Sequence, residues 1–224
     1  MATLRSEFGP GLPDLLAVRL GWPVRRTRRL VLGLAAALVL VQAARVVLST
    51  GTSLTRFITV SEPVAFNLGH RDGLERVAPR TGEVLRLQAV PGSPTRETFT
   101  VSELRLEPFP GDPAGVLPVL AAREVDRLRA SFPRDFRYRG DGRTRVNESP
   151  GHQILFQTRI DGRLVYGKRF FLLPELEPPA QAREGVVVTL LSRYSAATPS
   201  VEAVGVVGQL KGPLRSFRFG TQRP

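Results

Sequence analysis

The sequence contains no cysteine. Disulfides, thiolate nucleophiles and cysteine-ligated zinc or iron–sulfur centres are therefore excluded, and the fold must rest on packing alone. Histidine is almost as scarce. His70 and His152 are the only two, and they lie far outside the spacing of an HExxH metal helix. No G-x-S-x-G elbow, Walker A loop or G-x-G-x-x-G turn occurs, so hydrolase and nucleotide-binding readings lose their usual support. Lysine is nearly absent as well: only Lys168 and Lys211 contribute to a net charge of +12, and arginine carries the rest.

Beside abundant alanine, glycine and proline, that arginine bias is the amino-acid usage of a GC-rich coding sequence. Residues 1–56 carry +6 and residues 57–224 another +6, so the larger part of the chain is only moderately basic. Nucleic acid is not an expected partner, because the charge is diluted and the domain is expected outside the cytoplasm. With 42% hydrophobic and 23% charged residues of both signs, the chain has the material for a real core.

One long apolar run is present. Residues 30–41 (LVLGLAAALVLV) are unbroken, and the stretch from Leu30 to Leu48 reaches 19 residues. About 20 residues at roughly 1.5 Å each cross a hydrocarbon core of about 30 Å, so this segment predicts one transmembrane helix with the lipid bilayer as its partner. Gln42 and Arg45 fall near its end, where a long charged stem can reach the headgroups. Arg25, Arg26, Arg28 and Arg29 precede the run and hold the N-terminus in the cytoplasm, which places everything after Leu48 outside the cell membrane. Cleavage after Val41-Gln42-Ala43 as a signal peptide is the alternative, and it also leaves the domain outside. The expected organisation is a cytoplasmic segment 1–29, the span 30–48, a tether 49–56, an extracytoplasmic domain 57–220 and a tail 221–224.

Within the domain, residues 84–90 and 97–109 alternate polar and apolar and read as a hairpin joined by Pro91-Gly92-Ser93-Pro94. Leu117, Leu120, Ala121, Val125, Leu128 and Phe132 form a helical stripe that Pro118 can open and Pro133 ends. Residues 136–139 and 143–146 flank Gly140-Asp141-Gly142, and residues 154–160 and 163–173 flank Asp161-Gly162, a two-residue hairpin signal. That turn sets Ile154, Phe156, Thr158 and Ile160 on one face with Val165 and Gly167. Residues 185–191 are apolar on both parities, as in a central strand covered on both sides. Thr198-Pro199 predicts a second helix carrying Val201, Val204, Val207 and Leu210, stopped at Gly212-Pro213.

These elements predict an α+β domain, an antiparallel sheet with about two packed helices. The order of a helix, consecutive antiparallel strands, a C-terminal helix and a closing Ser216-Phe217 resembles the PsbP and Mog1-like α/β sandwich family. The resemblance implies a fold of about residues 57–220 and brings no catalytic signature. An NTF2-like cone is the competing arrangement, and its long N-terminal helix has no counterpart in the pattern.

Arg137, Arg139, Arg143 and Arg145 interleave with Tyr138, and Arg163 and Arg169 follow on the next hairpin. Guanidinium forks beside aromatic faces suit phosphate, carboxylate or sugar-acid ligands. These seven residues are the candidate anion or partner site. The resulting expectation is a binding or accessory module without catalytic activity or cofactor, recognising an anionic envelope component or a membrane-protein partner. The alternative is an enzyme with an acid/base site at His152 or His70.

Overall fold

The computed structural model describes residues 19, 21, 23, 30–32, 34 and 54–222, except 94, 95, 110 and 177–181. The chain forms two compact units, Met1–Ser53 and Leu54–Pro224. In the first, Leu30, Val31, Leu32 and Leu34 are helical, and the remainder of the expected membrane span lies outside the described residues. Among the described residues no helix is long and apolar enough to cross a membrane.

The second unit is an α+β domain. Its strands are β1 (Arg56–Val60), β2 (Phe66–His70), β3 (Leu74–Val77), β4 (Glu83–Ala89), β5 (Glu97–Arg105), β6 (Arg137–Val146), β7 (Ser149–Ile160), β8 (Arg163–Leu172), β9 (Glu184–Arg193) and β10 (Arg218–Phe219). Its helices are α1 (Leu117–Ser131) and α2 (Lys211–Ser216). Seven strands make one sheet in the order β3-β4-β5-β9-β8-β7-β6, and β1-β2-β10 make a second. All pairings are antiparallel.

Both faces of the large sheet are packed, because each strand divides its apolar residues by parity. Phe99, Val101, Phe170, Leu172, Val186 and Val188 join Phe66, Leu68 and Phe217 in one core. Leu104, Ile154, Phe156, Phe171 and Leu173 join Leu117, Ala121 and Leu128 of α1 in the other. The central position of β9, between β5 and β8, accounts for its apolar residues on both parities. Phe156 pairs with Gly167, and a methyl group on that glycine would overlap the ring, as the Asp161-Gly162 register requires.

Two local expectations are corrected. Gly140-Asp141-Gly142 is not a turn but part of β6, which runs through it with an irregularity between Tyr138 and Gly140. Gly140 takes φ 141°, so the glycine bends the strand instead of reversing it. The reversal falls at Asn147-Glu148, where Asn147 adopts φ 53°, a conformation asparagine tolerates better than most residues.

The second correction concerns the C-terminal helix. Residues 201–210 form turns, and the helix begins at Lys211, where it was expected to have stopped. Gly205 and Gly208 both sit at φ 75°, outside any right-handed helix, while Pro213 lies in the first turn of α2, where no intrahelical N–H is needed. Val201, Val204 and Leu210 are still buried, so these apolar residues reach the core without a helix.

Candidate functional site

The seven residues marked by sequence do not converge. Arg145 lies opposite Pro150 at one end of β7, whereas Arg163 lies opposite Ile160 at the other. Ten residues of strand separate those ends by roughly 33 Å at about 3.3 Å per residue. The register also puts Arg137, paired with Gln157, on the sheet face opposite Tyr138, which pairs with Phe156.

Several of the seven are occupied. Arg145 makes a forked pair with Glu175 at 2.9 and 3.1 Å and also reaches the Glu148 carbonyl at 3.1 Å. Arg169 donates to Thr189 Oγ1 at 2.9 Å and to Glu124 of α1, a link that ties the helix to the sheet. Burial lowers its guanidinium pKa and the Glu124 carboxylate opposes that shift. Arg139 donates through two nitrogens to Gln157 Oε1. Tyr138 donates to Asp141, whose other oxygen lies 2.6 Å from His152 Nε2. Those two bonds hold the Asp141 carboxyl below its ordinary range, and the Asp141 bond pushes the Tyr138 phenol up to about 12.

Arg163 has a different setting, which the sequence did not indicate. On the α1 face of the sheet, β8 contributes Arg163, β9 contributes Arg193, and Arg96 precedes β5, three adjacent strands at one end. Arg193 N–H donates to the Arg96 carbonyl at 3.2 Å, and Arg193 pairs with Val165, two residues beyond Arg163. Together they line a groove of about 390 Å³ with Thr98, Val165 and Leu191. Asp161, at the hairpin tip, is the only carboxylate among its lining residues, so three arginines face one aspartate.

Among the described residues, none of these three guanidiniums has a hydrogen bond or ion pair. Desolvation, followed by repulsion from Arg163 and Arg96, lowers the pKa of the Arg193 guanidinium. An arrangement that collects three arginines against a single carboxylate in a concavity is suited to receive an anion. Arg96 and Arg193 escaped sequence reasoning because they meet Arg163 only through the long-range β5-β9-β8 pairings. Arg193 stands two residues past the apolar run 185–191, with no local signal that ties it to Arg163.

A larger cleft of about 620 Å³ opens at the other end of the same face, between α1 and the segment 103–109, over Phe171 and Val187. Neither histidine lines either cavity. His70 is buried with Nδ1 2.9 Å from the Arg71 carbonyl, and His152 is buried with Nδ1 unpartnered. Among the described residues no three histidine or carboxylate side chains gather as metal ligands.

No protein-family model matches the sequence, and no curated protein matches it. Solved structures do. The solution structure of cyanobacterial PsbP (CyanoP) from Synechocystis sp. PCC 6803 aligns with a TM-score of 0.48 and 8% identity, covering 75% of this chain and 94% of that one. The chain resembles a PsbP-type domain. The crystal structure of LpqN, involved in cell envelope biogenesis of Mycobacterium tuberculosis, aligns with a TM-score of 0.43 and 13% identity, covering 74% of this chain and 91% of that one. At these identities the likeness concerns the fold.

Proposed function

We propose that this chain is a non-catalytic binding module, carried outside the cell on the anchor of residues 30–48, whose arginine groove receives an anionic group. The ligand belongs to an envelope component or to a membrane partner. One observation supports this reading above the others: Arg96, Arg163 and Arg193 converge in one concavity without ion-pair partners among the described residues. Guanidinium forks match phosphate and carboxylate oxygens, and three on adjacent strands can bind one such group from several sides.

The enzyme alternative has one feature in its favour, the Tyr138-Asp141-His152 chain of hydrogen bonds. Its geometry works against acid/base duty. His152 Nε2 is already engaged by Asp141, and Nδ1 is buried. A base needs an atom within hydrogen-bond reach of its substrate.

Calorimetric titration of the full chain with pyrophosphate tests the binding reading. Binding should weaken as salt rises, since exposed charges are screened over about 8 Å at physiological ionic strength. Replacing Arg96, Arg163 and Arg193 together by glutamine should weaken it at least tenfold. Replacing Arg137, Arg139 and Arg143 removes the same charge and should change it little. Equal losses in the two triple variants would mean that only net charge matters, and the reading would fail.

A further inference from the structure

The seven-stranded sheet ends on two strands that pair on one side only. β3 is four residues long, whereas β6 runs for ten, from Arg137 to Val146. A long unpaired edge is a template for another extended chain, and most natural edges are short, covered or interrupted. Among the described residues, no backbone hydrogen bond joins β6 to anything but β7.

The register shows which of its groups are free. Leu173 N–H donates to the Pro150 carbonyl, so the even-numbered residues of β7 bond toward β8 and the odd-numbered ones toward β6. Gly142 and Thr144, opposite Gln153 and Gly151, are therefore bonded to β7, while Asp141, Arg143 and Arg145 turn their N–H and C=O outward. All three are exposed. Their side chains share one face of the sheet, because Asp141 pairs with Ile154 of the α1 core and residues two apart lie on the same side.

Charge then selects what can lie there. β6 holds four arginines and one aspartate. The Asp141 carboxylate is already engaged by Tyr138 and His152, and Arg145 is paired with Glu175. Arg143, between them, has no hydrogen bond or ion pair among the described residues. A strand laid along β6 would bring every second side chain to about 5 Å from this row, where like charges repel and carboxylates are drawn in. The edge therefore turns away basic strands and admits acidic ones.

We infer that the free edge of β6 takes up an extended acidic segment of a partner protein as an additional strand. Main-chain hydrogen bonds at Asp141, Arg143 and Arg145 hold the segment, and carboxylates alternating along it meet the arginines. The surface shares no residue with the groove of Arg96, Arg163 and Arg193 and does not depend on it.

Residue-resolved amide hydrogen exchange of the full chain, with a synthetic peptide alternating glutamate and threonine, tests this pairing. Saturating peptide should slow exchange at Asp141, Arg143 and Arg145 by about tenfold or more and leave Gly142 and Thr144, already bonded to β7, unchanged. Arg143→Glu should weaken the peptide about tenfold without moving the melting transition, since an exposed charge adds little to stability. The same peptide N-methylated at its glutamates keeps every charge but loses the donors that face β6, and should not bind. Equal binding of the methylated peptide would mean that charge alone attracts it and would overturn the inference, as would unchanged exchange at the three outward amides. Displacement of the peptide by pyrophosphate would put it in the arginine groove and overturn it too. Protection of the three amides without peptide, rising with protein concentration alongside a dimer in sedimentation, would give the edge to a second copy of this chain and remove the acidic partner.

Discussion

At the scale of single residues, the seven side chains chosen from the sequence divide by what surrounds them. Arg145 and Arg169 are held by Glu175 and Glu124, so their forks are satisfied within the chain. Arg163 has no such partner and joins two arginines that the sequence separates from it by 30 and 67 positions. Residue type was legible and pairing was not, since a counter-ion 30 or 45 residues away is set by strand order. Tyr138 offers a direct check. Its phenol, raised to about 12 by the bond to Asp141, should ionise only well above pH 10 in ultraviolet absorbance, and Asp141→Asn should return it toward 10. The sign follows from the shifts. Raised Tyr138 contributes stability that is complete below pH about 10 and is lost as pH rises toward 12, while lowered Asp141 contributes stability that is present above pH about 4 and is lost on further acidification. An absorbance titration that Asp141→Asn leaves unchanged would contradict the bond.

At the scale of elements, legibility follows the strength of local signals. The Asp161-Gly162 turn fixed the β7-β8 register because both residues adopt positive φ, 51° and 72°. The α1 stripe ends as Pro133 demands, with Phe132 N–H closing on the Leu128 carbonyl at 3.0 Å. β1, β2 and β3 were not foreseen, because they are four or five residues long and two of them pair in a separate small sheet. The valine-rich segment 201–210 misled for a different reason: its spacing is helical, but two glycines in left-handed backbone break it. Gly205→Ala and Gly208→Ala separate the two possibilities. In a helix each would stabilise by up to about 1 kcal/mol; at φ 75°, with Leu190 and Leu214 or the Glu97 carboxylate in the way, each should destabilise by about 1 kcal/mol or more in chemical denaturation. A gain in either variant would restore the helix.

At the scale of the whole molecule, the α+β class and the antiparallel sheet were readable because they depend on hydropathy period and turn chemistry. The groove was not, because it is made by β5, β9 and β8 lying side by side, and β9 inserts between strands that precede it in sequence. The proposed site is therefore a property of topology. The arginines have value as a set only where the sheet collects them, and the basic character of the sequence says little about where that is. The central claim is that three guanidiniums, and not the general charge, receive the anion. Arginine Nε–Hε resonances of the full chain, followed while phosphate is added, test it directly. The signals of Arg96, Arg163 and Arg193 should move together and saturate with one affinity, while those of Arg137, Arg143 and Arg145 stay in place. Equal movement of all six, or none in the groove, would contradict the account.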